Sequence, residues 1–395
     1  MLRLKLSSLQ IPFLGFAFWV VATTVSPTSA VEVSDEEFQQ LSLDLSEPAG
    51  FFGTDNLVSN ETSFLHVSKD LIQVAPRGQV YLGAGPGQNF TYIAKIRPSL
   101  AFILDLRRDN LLYHLFFKSL FLMAEDRWEF LSFLFSKTLP SREERIPQAT
   151  VVDLVNGLRH READWDAFST RIEKASDLLL ERYPRLLDEN DRARIHSIAA
   201  KFVRDGFEIR YEIPGRPMLS FFPSYADLML ETDPHGEHQH YLNSESEFQF
   251  IKRMHQENRI IPVMGDFGGR KALAAIGEEI KRRELTVSVF YLSNVEFYLF
   301  RSRVFRQFVE NVRALPIDRR SLFIRSYFNN WFGTWRTHPH SAPNYFSTSL
   351  TQYIERFIEL DRRAQYQNYW DLVTRDYLGA PAQPVTIDSG PPSPN

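Results

Sequence analysis

Three glycines at alternate positions, Gly83, Gly85 and Gly87, are followed by an isolated acid, Asp105, 20 residues beyond Gly85. Glycines so spaced let a backbone turn approach a ligand closely. The helix that follows offers free N–H groups to an anion such as a carboxylate. Gln88 and Asn89 open that helix and join the turn as candidate ligand contacts. A carboxylate placed like Asp105 can accept from ribose hydroxyls. Two later clusters carry further chemistry: Gly265-Asp266-Phe267 and Ser293-Asn294-Val295-Glu296-Phe297-Tyr298. Glu296, beside Asn294, is the best candidate base, because Phe297 and Tyr298 supply a dry surround that would raise its pKa. The plainer alternative is that Asn294 and Glu296 cap the next helix and that Asp266 is an ordinary turn acid.

These residues need a scaffold, and the flanking pattern predicts one. Residues 79–82 form a short apolar β run, 83–87 a turn, 89–96 two helical turns stopped by Pro98, and 100–104 a buried strand closing at Asp105. That is a βαβ start, which places a ligand at the carboxyl ends of parallel strands. The dinucleotide fingerprint G-x-G-x-x-G fails, since Gln88 stands at its third glycine, and no P-loop motif occurs. Strands at 259–267, 286–292 and 321–327 alternate with helices at 271–284 and 301–315. A polar-aromatic loop at 329–345 precedes an expected helix at 349–377. Upstream, Ser59-Asn60-Glu61-Thr62 either caps a helix at 63–71 or forms a lid over the pocket.

Between the second and third strands lies a long stretch without strand signals. An aromatic helix at 111–135 carries His114 and Lys118 as face residues, and residues 140–206 are charged and helical. The expected division is a leader at 1–30, a lead-in and first half-core at 31–135, a mainly helical insertion at 136–257, a second half-core at 258–379, and a disordered Pro-rich tail at 380–395. The leader has basic Arg3 and Lys5, an apolar run at 11–22 and small residues before Val31, the pattern of a secretory signal peptide. It predicts an exported, periplasmic or secreted protein with no stable span after cleavage; an uncleaved segment would instead anchor it.

Net charge is −4 over 395 residues, which argues against a nucleic-acid partner. Cysteine is absent, excluding disulfides and thiol chemistry, and no G-x-S-x-G marks a serine hydrolase. His235, His238 and His240 with Asp233 and Glu237 are metal-donor types, but Pro234 and Gly236 make the segment a turn, so no metal site is expected. Trp331 to Arg336 could stack a flat ligand, though loop aromatics more often fold inward.

The order of these elements resembles motifs I to IV of class I S-adenosylmethionine (SAM) methyltransferases. Strand one ends in GAGPG, strand two in Asp105, strand three in GDF and strand four in SNVEFY. More closely, YLGAGPGQNFTYIA, NRIIPVMGDFGG and FYLSNVEFYLF are similar to an uncharacterised bacterial family with a methyltransferase-like core. The resemblance implies an α/β fold, a Rossmann-like doubly wound sheet with a large helical insertion between strands two and three. It implies SAM as cofactor, with Asp105 on ribose, Asp266 on the adenine amino group and Phe267 flanking the ring. Asn294, Glu296 and Tyr298 would face the acceptor, a small molecule or envelope component. Three features depart from the pattern: the length of the insertion, SNVE in place of the Asn-Pro-Pro-Tyr of nucleic-acid amino methylation, and the lack of obvious antiparallel end strands after Tyr327. Export separates the protein from cytosolic SAM, so the alternative is a non-catalytic ligand-binding or envelope interaction protein.

Overall fold

The apolar run before the glycines becomes β1 (Val80–Ala84), buried along its whole length. A helix at Gln88–Ile96 leads to β2 (Leu100–Asp105), which pairs with β1 in parallel. The computed structural model describes residues 31–329 and 336–379. β3 (Ile260–Met264), β4 (Val287–Ser293) and β5 (Ile317–Phe328) complete the parallel strands, and β6 (Ser347–Tyr353) joins β5 antiparallel. The order β3-β2-β1-β4-β5-β6 makes a six-stranded, mostly parallel mixed sheet flanked by helices. The chain therefore turns from one side of β1 to the other between β3 and β4. Such a reversal opens a crevice at the carboxyl ends of the central strands.

β6 corrects one expectation: a strand, not a helix, opens the 349–377 segment. Helices follow only at Ile354–Arg362 and Tyr369–Thr374. Apart from Leu350, the residues Ser347 to Gln352 are polar but buried, and hydrogen bonds satisfy them. Ser347 and Ser349 meet the Ser63 hydroxyl at 3.1 and 3.2 Å, and the Thr351 hydroxyl donates to Asp70 at 2.6 Å. The expected helix at 111–135 is also two, Arg108–Met123 and Arg127–Leu134. Asp126 accepts from the Glu129 N–H and so starts the second.

Six α-helices run from Arg127–Leu134 to Glu245–Gln256 within the stretch between β2 and β3. Their apolar faces join the same core as the sheet, which extends from Val33 to Tyr377. Arg108 ties this stretch down, donating to Asp191 at 2.9 Å and to the Leu186 carbonyl at 2.7 Å. At the other end of the core, the helix Asp35–Leu45 docks on β3 through the Ser42 hydroxyl, which donates to Pro262 O at 2.6 Å. No helix among the described residues is long and apolar enough to cross a membrane. The expected leader, the Trp331–Trp335 aromatics and the Pro-rich tail lie outside the described residues.

Candidate functional site

A cavity of about 320 Å³ opens where the sheet reverses, at the carboxyl ends of β1, β2, β3 and β4. That volume suits a small molecule. Gly85 contributes backbone from β1, Asp105 from β2, Asp266 and Phe267 from β3, and Asn294 and Tyr298 from beyond β4. The sequence candidates thus converge from positions more than 200 residues apart.

The turn divides its labour. Gly85 adopts φ +72°, a left-handed conformation that suits glycine, and faces the cavity. Gly83, Gly87 and Asn89 do not line it; they build the turn instead. The Asn89 side chain donates to Ala84 O at 2.9 Å and Pro86 O at 2.6 Å, and accepts from the Tyr81 hydroxyl at 2.7 Å. A Cβ on Gly83 would lie 1.9 Å from Asn89 Oδ1, so glycine is required there by contact with this fastener. The Gly87 N–H donates to the Tyr113 hydroxyl at 3.0 Å. His114 Nε2 donates to the Gly85 carbonyl at 2.9 Å, and burial pushes its pKa down to about 4, so the ring stays neutral. The expected face residue is in fact a strut beneath the turn.

Asp105 lines the cavity but is not free. It holds the Arg107 side chain in a two-pronged pair at 3.0 and 3.1 Å, while Arg107 Nη1 donates to Thr54 O and Asp55 O at 3.0 and 2.7 Å. The pair fastens residues 51–61 as a wall of the cavity. Lys201 in the insertion grips the same wall through Asp55 at 3.1 Å, and Tyr211 adds an aromatic surface. Of the expected cap or lid at Ser59 to Thr62, Ser59, Asn60 and Glu61 line the cavity, and no side chain caps the helical turn that follows at Phe64–Val67. Asp266 accepts from the Gly268 N–H at 2.8 Å through Oδ1, which is the turn role, yet it also faces the cavity.

One acceptor-side expectation changes. Glu296 does not reach the cavity. It is fully buried, and Arg325 donates to it at 2.6 and 3.1 Å. The helix Val295–Arg301 begins so close to the end of β4 that its second residue faces the sheet rather than the cleft. Tyr298, one turn on, does line the cavity; burial pushes its phenol up to about 12, so it presents a neutral hydroxyl. Sequence reasoning passed over Glu61 as a chemical group. Its carboxylate accepts from Gln88 Nε2 at 2.8 Å, from the Tyr291 hydroxyl at 2.7 Å and from the Ser293 hydroxyl. Gln88 therefore acts through Glu61 and does not itself line the cavity. No periodic signal marks Glu61, because its partners come from β4 and from the helix after β1, far along the chain.

Asp233 accepts from the backbone N–H groups of His235 and Glu237 at 2.8 and 3.1 Å, which closes the histidine-rich turn. No metal-holding cluster of three or more His, Asp or Glu occurs among the described residues.

Fold and site together define an α/β protein with a cavity at the reversal point of its sheet. The chain belongs to the family described as a domain of unknown function (DUF7790), whose model matches residues 57–370. The match takes in Glu61, all six strands and the insertion, and no curated protein matches the chain.

Proposed function

We propose that the cavity binds SAM and that the protein is a methyltransferase-like enzyme acting on a small-molecule or envelope acceptor. The observation that carries the reading is the charge of the cavity wall. Glu61, Asp105 and Asp266 line it, six Phe and Tyr side chains line it, and among the described residues no Lys, Arg or His does. A polyphosphate nucleotide needs cationic donors, whereas a sulfonium compound is itself positive and suits acids and aromatic faces. The strand order supports a Rossmann-like sheet of the methyltransferase kind. Asp105 keeps one acceptor position, on Oδ2 beside the Arg107 pair, for ribose, and Asp266 Oδ2 does so for an adenine amino group. Bound SAM would supply an activated methyl group. The chain's part is to orient it, exclude water with residues 51–61, and present Asn294 and Tyr298 to the acceptor.

Calorimetric titration of SAM and S-adenosylhomocysteine into the full chain tests the reading. Micromolar binding weakened by Asp266→Asn, which keeps the acceptor for Gly268, is expected. No binding by a folded protein would end it.

One observation favours a second reading, binding without transfer: the candidate base Glu296 is consumed by Arg325. Export would favour it too. Mass spectrometry of the mature N-terminus tests leader cleavage, with Val31 expected first and an intact Met1 overturning cleavage and leaving the uncleaved anchor. Turnover of labelled SAM with candidate acceptors separates enzyme from binder.

A further inference from the structure

Glu61 is 1% exposed, yet its carboxylate meets only neutral donors. The other deeply buried acids behave differently. Asp191 pairs with Arg108, Glu279 with Arg282 and Arg283, Glu296 with Arg325, and Asp361 with Arg306 and Arg313. Asp233, in its turn, is the exception that backbone N–H groups explain. Among the described residues no Lys, Arg or His pairs with Glu61, and it is the one of these acids that opens onto the cavity. A buried carboxylate without a cation is costly and is retained where something else supplies the charge. A carboxylate offers about four acceptor positions, and Glu61 uses three, two on Oε1 and one on Oε2. Ser293, one of the donors, is held at φ +53°, a strained conformation for serine and of the kind that collects at ligand sites.

We infer that Glu61 is the anchor for a positively charged amine of the ligand. This rests on the SAM reading and deepens it. Asp105 and Asp266 stand at the β2 and β3 end of the cavity and Glu61 at the β4 end, so a ligand with ribose and base on the first pair lays its amino-acid amine toward Glu61.

The test is calorimetry on the full chain with three probes: SAM, S-adenosylhomocysteine and 5′-methylthioadenosine, the last lacking the amine. In Glu61→Gln the first two weaken about 10- to 100-fold, as for loss of a charged hydrogen bond, while methylthioadenosine is unchanged. Equal loss for all three, no loss, or loss confined to SAM overturns the amine assignment. Wild-type protein that binds none of the three overturns the SAM reading and this inference with it. Should Glu61→Gln fail to fold, Glu61→Asp is read in its place: it narrows the preference for S-adenosylhomocysteine over methylthioadenosine, and an unchanged preference overturns the inference.

Discussion

Arg325 and Glu296 close on each other inside the protein, with Arg325 Nε 2.6 Å from Glu296 Oε2 and side chains 2% and 0% exposed. A third guanidinium nitrogen donates to Gln352 at 2.6 Å, and the Phe323 ring lies 4.4 Å from the guanidinium carbon. One ion pair thus joins the helix after β4 to β5 and β6, and an apparent base becomes a structural group. Removing one partner leaves the other charged and buried, so Glu296→Ala should cost about 3–5 kcal/mol. Urea unfolding reads that loss, and ligand affinity measured where the variant is folded should match wild type. Full stability with lost turnover would return Glu296 to catalysis.

The two inner glycines should respond differently to alanine. Gly83→Ala drives a methyl into the Asn89 fastener, which must let go of Tyr81 and the turn carbonyls. A loss of roughly 2–4 kcal/mol is expected, the range of overpacking together with broken buried hydrogen bonds. Gly85→Ala meets only Asn56 Nδ2 at 3.1 Å but must hold φ +72°, at about 1–2 kcal/mol. Thermal unfolding should therefore rank Gly83→Ala as the worse fold. Gly85→Ala should be the worse binder for its stability, because its methyl enters the cavity.

Arg107 fastens the wall rather than the ligand. Arg107→Met frees Thr54 O, Asp55 O and the Asp105 carboxylate together. Hydrogen exchange at residues 51–61 should rise well above wild type while the sheet stays protected. Unchanged exchange would show that Lys201 and Tyr211 suffice to hold the wall.

Buried histidines set an acid limit. Burial lowers His114 to about 4 and His240 to about 3, and it lowers His255 as well, beside the ammonium of Lys118. The unfolded chain takes up these protons near 6.5, so between that pH and the folded values it binds more protons than the native state. Stability is complete above about 6.5 and falls as pH drops toward 4, by about 1.4 kcal/mol per pH unit for each histidine. Urea midpoints from pH 8 to 4 should trace that slope, and His240→Asn should flatten it. A flat wild-type profile would contradict the burial.

Local chemistry was enough to find the strands β1 to β4, the glycine turn and the acids that close β2 and β3. Apolar runs, turn glycines and helix periods are properties of neighbouring residues. It placed Gly85, Asp105, Asp266, Asn294 and Tyr298 in one cavity because parallel strands share their carboxyl ends. It failed at β6, whose serines and threonines look solvated until Ser63 and Asp70 arrive from the far side of the chain to pair with them. It failed again over which glutamate serves the cavity. Glu296 and Glu61 are alike as residues. Only the folded chain brings Arg325 to the first and leaves the second with Tyr291, Ser293 and Gln88, because the partner that neutralises a carboxylate is chosen by tertiary contact and leaves no trace in local sequence.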